Sequence, residues 1–393
     1  MTERPLKVFL IAGEPSGDSH GGALAKRLLA RDPTIQLEGL GGPHMAAAGV
    51  KLHEDLDLLK NTAMGLLPVI ARLPFFMGRI RDTGARIAAA RPDVLVPIDY
   101  PGFNFRMAAR ARAEGVKVCW YVSPQVWAWR PGRIHKVKRL VDHMMVLFPF
   151  EVGIYEEVGV PCTFVGHPLF DELRTRKPTP GFRAGLGLEP STLLLGLLPG
   201  SRPQEIERNL PLILRAATLV ARRAPDVRYA LPVAQPTLRP VVEAIIRDHP
   251  DAPRIAVLDG KASDVARVAR AAICASGTAT LELLHHECPT VIVYQATQLQ
   301  ELFVRRLLIT PWIGLVNVLA QREVFPEFAQ AKDASAEIAE AALGLLRDGR
   351  ARKKCLSAMK SLRREVDLKD IHGTAADTVL AVAREARAAR TTS

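Results

Sequence analysis

Short apolar segments that alternate with helical patterns are the feature of this sequence that most constrains its fold. In the first half these segments are rich in Val, Ile and Leu, and each is bounded by Gly, Pro or Asp, which is typical of buried strands in a parallel sheet. They span residues 7–12, 94–98, 116–122, 144–148 and 162–165, with helical patterns at 21–30, 79–90 and 103–114. The first half is therefore predicted to be a doubly wound alternation of strands and helices.

The same alternation begins again after a polar stretch, RTRKPTPGFRAGLG, in which Pro and Gly interrupt the chain near residues 174–187. The second half has predicted strands at 193–198, 228–233, 255–258, 271–275 and 291–294 and predicted helices at 205–223 and 278–286. We therefore predict an α/β fold with two Rossmann-like domains that face each other across a cleft. The predicted domains are residues 1–173 and 188–365, and a C-terminal helix at 366–393 could pack back on the first domain.

The charge balance indicates which partners to expect. The 393 residues include 53 Lys and Arg against 41 Asp and Glu, and this net charge of +12 favours contact with phosphate groups or an anionic membrane surface. An RNA-binding module would need basic residues interleaved with aromatics on one exposed face, whereas the tryptophans of this chain cluster in one loop. We therefore expect no nucleic acid partner.

Cysteine usage and hydropathy indicate the compartment. The five cysteines form no C-x-x-C pair, which argues against a disulfide framework and a zinc site and favours a reducing cytoplasm. The first apolar run is too short for a secretory signal, and nowhere do about 18 consecutive apolar residues occur. Any contact with a membrane is thus expected to be peripheral.

Two turns of the first half combine several ionisable groups at the end of a predicted strand. AGEPSGDSHG, residues 12–21, places Glu14, Asp18 and His20 where a helix begins, and either a ligand site or simple capping of that helix would explain them. IDYPGFN, residues 98–104, places Asp99 at the end of another strand. A carboxylate there can act as a general base towards a hydroxyl, and capping of the next helix is the alternative.

The second half repeats this arrangement with groups suited to a nucleotide. LLPGSRPQEI places Ser201 and Arg202 at a helix start, where a diphosphate would meet backbone N–H groups, a hydroxyl and a guanidinium. SGTATLE places Gly277 and Thr278 at another such turn and Glu282 within the helix, where its carboxylate can accept both hydroxyls of a ribose. Helix capping explains the same residues structurally, and the two readings are compatible.

Two further segments leave alternatives open. Asn317, in GLVNVLAQREVFPEF, has apolar neighbours that suggest burial, and a buried amide can hold either a loop or a ligand. The segment MGLLPVIARLPFFMGRIR, residues 64–81, combines apolar side chains, two prolines and three arginines. It suits an element that lies in the headgroup region of a membrane, and a pocket wall or a broken core helix is the alternative.

Together the motifs closely resemble those of lipid-A-disaccharide synthases over residues 7–325. The resemblance rests on AGEPSGDSHG, GLGGPHM, DYPGFN, YVSPQVWAWR, VGHP, LLPGSR and SGTATLE, which occur in this order. It implies a metal-independent, inverting glycosyltransferase of the GT-B type that needs no cofactor. Such enzymes join UDP-2,3-diacylglucosamine to 2,3-diacylglucosamine 1-phosphate, form the β-1,6-linked lipid A disaccharide 1-phosphate and release UDP.

The resemblance also implies roles for individual residues. Asp99 resembles the catalytic carboxylate, although many members of the family carry a second Asp where this chain has Gly102. Glu14, Asp18 and His20 resemble the polar cluster on the acceptor side. The residues that resemble the UDP-binding set are Ser201, Arg202, Gly277, Thr278, Glu282 and Asn317, and those expected to contact acyl chains or membrane are Met64, Leu66, Leu67, Val69, Phe75 and Phe76.

The implied substrates set the expected location. Since both carry acyl chains, we expect a cytoplasmic protein that is peripheral on the inner face of the inner membrane, where basic residues attract an acceptor phosphate and anionic lipids. A homodimer through C-terminal elements is a further expectation. The alternative function is that of a UDP-sugar 2-epimerase, which shares the two-domain plan but acts without an acylated acceptor.

Overall fold

A computed structural model of the chain describes residues 4–55, 73–127, 131–295 and 310–391. It divides into two compact units. Unit 1 contains the chain up to Pro168 together with the segment that begins at Leu368, and unit 2 spans Leu169–Asp367. The chain thus enters unit 2 five residues before the polar stretch at 174–187 that separates the two sequence patterns, and it returns to unit 1 for its last helix.

Unit 1 is built on a seven-stranded parallel sheet with the strand order β3-β2-β1-β4-β5-β6-β7. Its strands are β1 (Lys7–Ala12), β2 (Gln36–Gly41), β3 (Lys51–Asp55), β4 (Val94–Ile98), β5 (Lys117–Tyr121), β6 (His143–Val146) and β7 (Cys162–Phe164). Its helices are α1 (Pro15–Arg31), α2 (Pro43–Ala47), α3 (Leu73–Ala90), α4 (Pro101–Ala113), α5 (Arg133–Leu140) and α6 (Glu151–Glu156).

Unit 2 has a six-stranded parallel sheet with the order β10-β9-β8-β11-β12-β13. Its strands are β8 (Leu194–Leu198), β9 (Arg228–Val233), β10 (Ile255–Asp259), β11 (Ala271–Ala275), β12 (Thr290–Gln295) and β13 (Glu327–Gln330). Its helices are α7 (Leu169–Thr175), α8 (Phe182–Gly185), α9 (Pro203–Arg223), α10 (Arg239–Arg247), α11 (Ala262–Val268), α12 (Ala279–His285), α13 (Leu315–Ala320), α14 (Ser335–Leu346) and α15 (Arg350–Val366).

The central strands are apolar along their whole length because both faces of each sheet are covered. All five residues of β4, β8 and β11 are buried, as expected for a parallel sheet between two layers of helices. On one face of the first sheet, Phe9, Leu95 and Trp120 pack with Phe103 and Met107 of α4. This burial explains why simple hydrophobic runs located the strands.

The last helix, α16 (Ile371–Thr391), belongs to unit 1. It packs against α1 and contacts β4 and β5. At its far end, Arg387 donates from Nη2 to Oδ2 of Asp93 at 3.1 Å. The Asp93 carboxylate is fully buried and also accepts from Arg4 Nη2 at 2.8 Å and from the N–H of Lys7 at 2.9 Å. A charged network therefore joins the two ends of the chain.

Strand order reverses at one place in each sheet. In unit 1 the reversal lies between β1 and β4, and in unit 2 it lies between β8 and β11. Ligands of such sheets bind at the carboxyl ends of the strands beside this point.

Within the described ranges, no helix combines the length and the apolar character that crossing a membrane requires.

We expect Asp93→Asn to destabilise unit 1. The substitution removes a fully buried carboxylate from its ion pairs with Arg4 and Arg387, and breaking a buried ion pair costs about 3 kcal/mol or more of the free energy of unfolding. Urea denaturation followed by circular dichroism measures the loss. Asp377→Asn, which removes the exposed partner of Arg31, is the control and should shift the midpoint little. Equal midpoints for the two variants would contradict the role given to Asp93.

Candidate functional site

A cavity of about 520 Å³ opens at the carboxyl ends of β8 to β11 in unit 2. It lies beside the reversal of strand order, where the turn after β8 and the turn after β11 diverge. Five of the six residues predicted to bind UDP line it, namely Ser201, Arg202, Gly277, Thr278 and Glu282. The cavity wall also includes Arg176 and Glu205, which the sequence analysis did not single out.

The turn after β8 is closed by the side chain of Glu205. Its Oε2 accepts from the N–H groups of Ser201 at 2.9 Å and Arg202 at 3.3 Å, and its Oε1 is 3.1 Å from Nη1 of Arg202. Gly200 has φ +129°, and a Cβ there would lie 2.7 Å from Cβ of Glu205, so this position requires glycine. The backbone donors predicted to hold a diphosphate thus already have a carboxylate partner. The Arg202 side chain remains 73% exposed.

The turn after β11 presents small groups to the same cavity. Ser276 is tied down because its hydroxyl donates to the carbonyl of Ile313 at 2.9 Å. Gly277 and Thr278 follow it and are exposed, and Thr278 is the N-cap residue of α12. Ser276 therefore positions the turn, while Gly277 and Thr278 are accessible to a ligand in the cavity.

Glu282 carries the carboxylate of this cavity. It lies in the first turn of α12, its side chain is 18% exposed, and its buried Oε2 accepts no hydrogen bond within the described structure. Nη1 of Arg176 is 3.9 Å from that oxygen. Burial raises the pKa of Glu282, and the neighbouring Arg176 lowers it. A buried oxygen without a donor can accept a hydroxyl from a ligand.

The expectation that Asn317 binds UDP is not supported by its surroundings. Asn317 is fully buried, its Nδ2 donates to the carbonyl of Phe325 at 2.8 Å and to Glu327 Oε2 at 3.0 Å, and its Oδ1 accepts from the N–H groups of Val324 and Phe325. Every polar atom of the amide is thus engaged within the protein. Of the two alternatives left open by the sequence, these hydrogen bonds favour the one in which Asn317 holds a loop.

In unit 1, Asp99 and Glu14 follow the two strands at the reversal, β4 and β1. Asp99 has φ +48°, a strained conformation that the Asn104 amide supports by donating to the Asp99 carbonyl at 2.7 Å. Burial and the nearby Glu14 carboxylate raise the pKa of Asp99 to about 6, against a hydrogen bond from the backbone of Tyr100. The N-cap residue of α4 is Tyr100, so Asp99 is not the N-cap of this helix.

The turn before α1 is shaped by the same tyrosine. A Cβ on Gly13 would lie 2.3 Å from the ring of Tyr100, so only glycine lets the ring pack against this turn. Glu14 is the N-cap residue of α1 by position, but its side chain makes no capping hydrogen bond. Its carboxylate therefore stays beside Asp99. By contrast, a Cβ on Gly102 would meet nothing within 4 Å, so the structure has room for a side chain at this position.

The expectation that Asp18 is a catalytic group is also not supported. Its side chain is buried, and its carboxylate accepts from three backbone N–H groups, those of Gly42 at 2.7 Å, His44 at 2.9 Å and Met45 at 3.0 Å. These are the first donors of α2, which has no intrahelical acceptors for them. Asp18 thus connects the GLGGPHM turn to α1 as a structural residue.

His20 lies in a group of aromatic side chains that come from distant parts of unit 1. Its ring centroid is 6.2 Å from that of Tyr121 and 6.4 Å from that of His372 on α16, and the Tyr121 hydroxyl is 3.3 Å from Nδ1 of His372. Burial lowers the pKa values of His20 and His167 to about 4, and nearby imidazoles add to both effects. These histidines are therefore neutral at pH 7. His167 belongs to the VGHP motif, whereas no sequence signal pointed to His372.

The loop after β5 depends on a buried acid that the sequence analysis missed. Glu151 accepts from the Ser123 hydroxyl, from Nε1 of Trp127 at 3.1 Å and from the N–H of Phe148 at 3.1 Å. Burial raises the pKa of Glu151 to about 7. Ser123 and Trp127 are thereby fixed, and Trp129 lies outside the described residues.

The residues expected to contact acyl chains can be placed only in part. Met64, Leu66, Leu67 and Val69 lie outside the described residues. Phe75 and Phe76 belong to α3 by their backbone, and their side chains are outside the description. On the same helix, Met77 is 55% exposed. In the described part of the chain, no group of three or more His, Cys, Asp or Glu side chains is arranged to hold a metal ion.

Solved structures with similar folds share both units. A UDP-GlcNAc 2-epimerase of Neisseria meningitidis bound to UDP-GlcNAc has a TM-score of 0.55 and 12% identity, with 98% of this chain and 100% of that chain covered. A UDP-glucosyltransferase of Polygonum tinctorium has a TM-score of 0.60 and 15% identity, with 98% and 100% covered. At these identities the likeness concerns the fold alone, and it confirms the predicted two-domain α/β class of GT-B type.

Sequence comparison identifies the family. Residues 8–377 match the family model of lipid-A-disaccharide synthetase. A lipid-A-disaccharide synthase of Geobacter metallireducens is 42% identical over 340 residues, which cover 86% of this chain and 87% of that protein. One of Azotobacter vinelandii is 38% identical over 387 residues, with 97% and 99% covered. The resemblance seen in the motifs is therefore confirmed, and the chain belongs to the lipid-A-disaccharide synthase family.

Proposed function

We propose that this chain is the glycosyltransferase of lipid A biosynthesis that condenses UDP-2,3-diacylglucosamine with 2,3-diacylglucosamine 1-phosphate. The products are the β-1,6-linked disaccharide 1-phosphate and UDP. Membership of the family carries the proposal, since the match extends over nearly the whole chain. The epimerase alternative has only a distant structural likeness in its favour, at 12% identity.

The cavity of unit 2 supports the binding of UDP. Its exposed Arg202 guanidinium is the group that can pair with a diphosphate, and Gly277 with Thr278 forms the opposite side. The ribose hydroxyls would donate to the unpartnered oxygen of Glu282. Charge that develops on the diphosphate as UDP leaves would be stabilised by Arg202, as an oxyanion is by fixed donors.

Asp99 is proposed as the general base. It would remove the proton of the acceptor 6-hydroxyl while that oxygen attacks the anomeric carbon and UDP departs, which inverts the configuration. A pKa of about 6 leaves the carboxylate ionised at neutral pH and makes it a stronger base than an ordinary Asp. Glu14 contributes by its negative charge, and His20 offers a neutral imidazole on the acceptor side. Asp18 and Asn317 are proposed as structural residues.

Peripheral binding to the cytoplasmic face of the inner membrane is the proposal for the location. The net charge of +12 favours an anionic surface. Met77 and Arg81 are four residues apart on α3, hence on one face, and both are exposed. An exposed apolar residue beside a cation is the pattern of an interfacial helix. The homodimer through C-terminal elements stays a prediction.

The activity itself is tested with defined substrates. Purified protein incubated with UDP-diacylglucosamine and diacylglucosamine 1-phosphate should yield equimolar UDP and a disaccharide phosphate, measured by mass spectrometry. UDP-N-acetylglucosamine, which lacks the acyl chains, should fail as a donor. Conversion of a UDP-sugar to its 2-epimer without any acceptor would contradict the proposal and favour the alternative.

Arg202→Ala tests the diphosphate contact. The loss of a charge-assisted hydrogen bond, about 1.5–3 kcal/mol, should weaken UDP binding by tenfold or more in calorimetric titrations. Uridine, which has no diphosphate, should bind the variant and the wild type equally. Arg222→Ala removes a cation from the same helix outside this cavity and is the control. An unchanged affinity for UDP in the Arg202 variant would remove that residue from the site.

Asp99→Asn tests the base. We expect turnover to fall by about 10²–10⁴-fold while the affinity for UDP is retained, because the amide cannot accept the proton. In the wild-type enzyme, kcat/KM should decrease as the pH falls through about 6, since protonated Asp99 is inactive as a base. A fully active variant, or a wild-type rate that is flat between pH 5 and 7, would end the candidacy of Asp99.

A further inference from the structure

Arg176, which lies outside the sequence motifs of the family, reaches the nucleotide cavity of unit 2 from the end of α7. Arg176 directly follows α7, and its N–H donates to the carbonyl of Glu172 at 3.0 Å, which continues the last turn of the helix. Its guanidinium reaches the cavity wall beside Glu282. The side chain is 47% exposed, so its direction is not imposed by core packing.

We propose that Arg176 is a positioning residue for the nucleotide: it holds Glu282 as a charged acceptor for the ribose hydroxyls without occupying the carboxylate oxygens. This inference rests on the proposed function, in which the cavity binds UDP. It adds a residue that directly follows α7 to a site otherwise formed at the carboxyl ends of β8 to β11.

The distance between the two groups carries the argument. At 3.9 Å, Nη1 of Arg176 is near enough for charge attraction to Glu282 Oε2 but too far for a hydrogen bond. Oε2 is buried and has no donor among the described residues. A closer arginine would fill the lone pairs that a ribose needs, and a more distant one would leave a buried charge uncompensated.

The charges around Glu282 oppose one another. Burial favours the protonated acid and is the main cause that raises the pKa of Glu282. The positive charge of Arg176 lowers this pKa, and the negative charge of Glu172 on α7 raises it. Among the described residues, the other titratable or charged groups around Glu282 include Cys274 on β11, His285 at the end of α12, His286 directly after that helix, and Arg202 with Glu205 across the cavity. Burial is the main cause that lowers the pKa values of both histidines, to about 4 for His286, and this reduces the positive charge beside Glu282 at pH 7.

Protonation matters because it changes what the side chain can bind. An ionised carboxylate accepts two hydroxyl donors, whereas the protonated acid has an O–H that must itself find an acceptor. The ribose of UDP offers two hydroxyls, and 2′-deoxy-UDP offers one. The affinity ratio of these two nucleotides therefore reports the state of Glu282, while contacts to the base and the diphosphate cancel in the ratio.

The experiment is a calorimetric titration of UDP and 2′-deoxy-UDP into the full-length protein between pH 5.5 and 8. The wild type should prefer UDP by about tenfold or more at pH 7.5, the value of one hydrogen bond to a charged group. Arg176→Ala should reduce this preference by about threefold, the effect of one partly exposed charge pair. Without the cation the pKa of Glu282 is higher, so the preference should also disappear at a higher pH. Arg176→Lys should restore it.

Two further variants test the direction of the pH shift in the preference for UDP over 2′-deoxy-UDP. Glu172→Gln removes the opposing charge, so it should keep the preference for UDP down to a lower pH than the wild type. Lys177→Ala removes a cation one residue away that does not line the cavity and should leave the ratio unchanged at every pH. Circular dichroism confirms that each variant is folded.

The possible failures are distinguishable. If Arg176→Ala weakens both nucleotides equally and their ratio and its pH dependence do not change, Arg176 does not act through Glu282 and the inference is wrong, while the donor site stands. If Glu172→Gln shifts the ratio in the same direction as Arg176→Ala, the electrostatic argument is likewise overturned. A wild-type protein that binds neither nucleotide, or binds both equally, would overturn the proposed ribose site together with the inference.

Discussion

The reversal of strand order in each parallel sheet is the constraint on which the rest of the structure depends. A parallel sheet brings the carboxyl ends of its strands to one edge, and where the order reverses the loops on either side must leave in opposite directions. Glu14 and Asp99 lie on either side of that point in unit 1. Arg202 and Thr278 do so in unit 2. The order of the strands therefore determines where these residues lie, whatever their side chains are.

Hydrogen bonding separates the structural carboxylates from the reactive ones. Asp18 and Glu151 are buried, but each accepts two or more donors from fixed parts of the chain, so each acts as an internal anchor. Glu205 does the same within its turn. Asp99 and Glu282 are also largely buried, but in the described part of the chain the Asp99 carboxylate is offered only the backbone donor of Tyr100, and Oε2 of Glu282 accepts no hydrogen bond. Under the proposed function, a substrate hydroxyl would complete the hydrogen bonding of each of these two carboxylates.

The sequence predicted the strands and turns that a local pattern determines. It did not predict residue roles that depend on contacts with distant parts of the chain. Strand β1 was predicted at its observed bounds because continuous burial leaves an apolar run, whereas the edge strands β3 and β13 read KLHED and EFAQ and show no such run. The turns that line the cavity of unit 2 were found from glycine and hydroxyl spacing. The role of Asn317 was undetermined because its four partners are backbone and side-chain groups up to ten residues away. Arg176 and His372 lie outside every recognised motif, so only their placement reveals them.

The path of the chain links the completion of unit 1 to the synthesis of unit 2. Because α16 follows residue 367, unit 1 has all its strands but lacks its last helix until the whole chain exists. Until then, Asp93 lacks Arg387, and the aromatic group around His20 lacks His372. Domains generally fold as units, the N-terminal one first, during synthesis, but this arrangement delays the final packing of unit 1 until α16 has been made. The ring contacts of His20 with Tyr121 and His372 are therefore complete only once α16 has been made and has packed on unit 1.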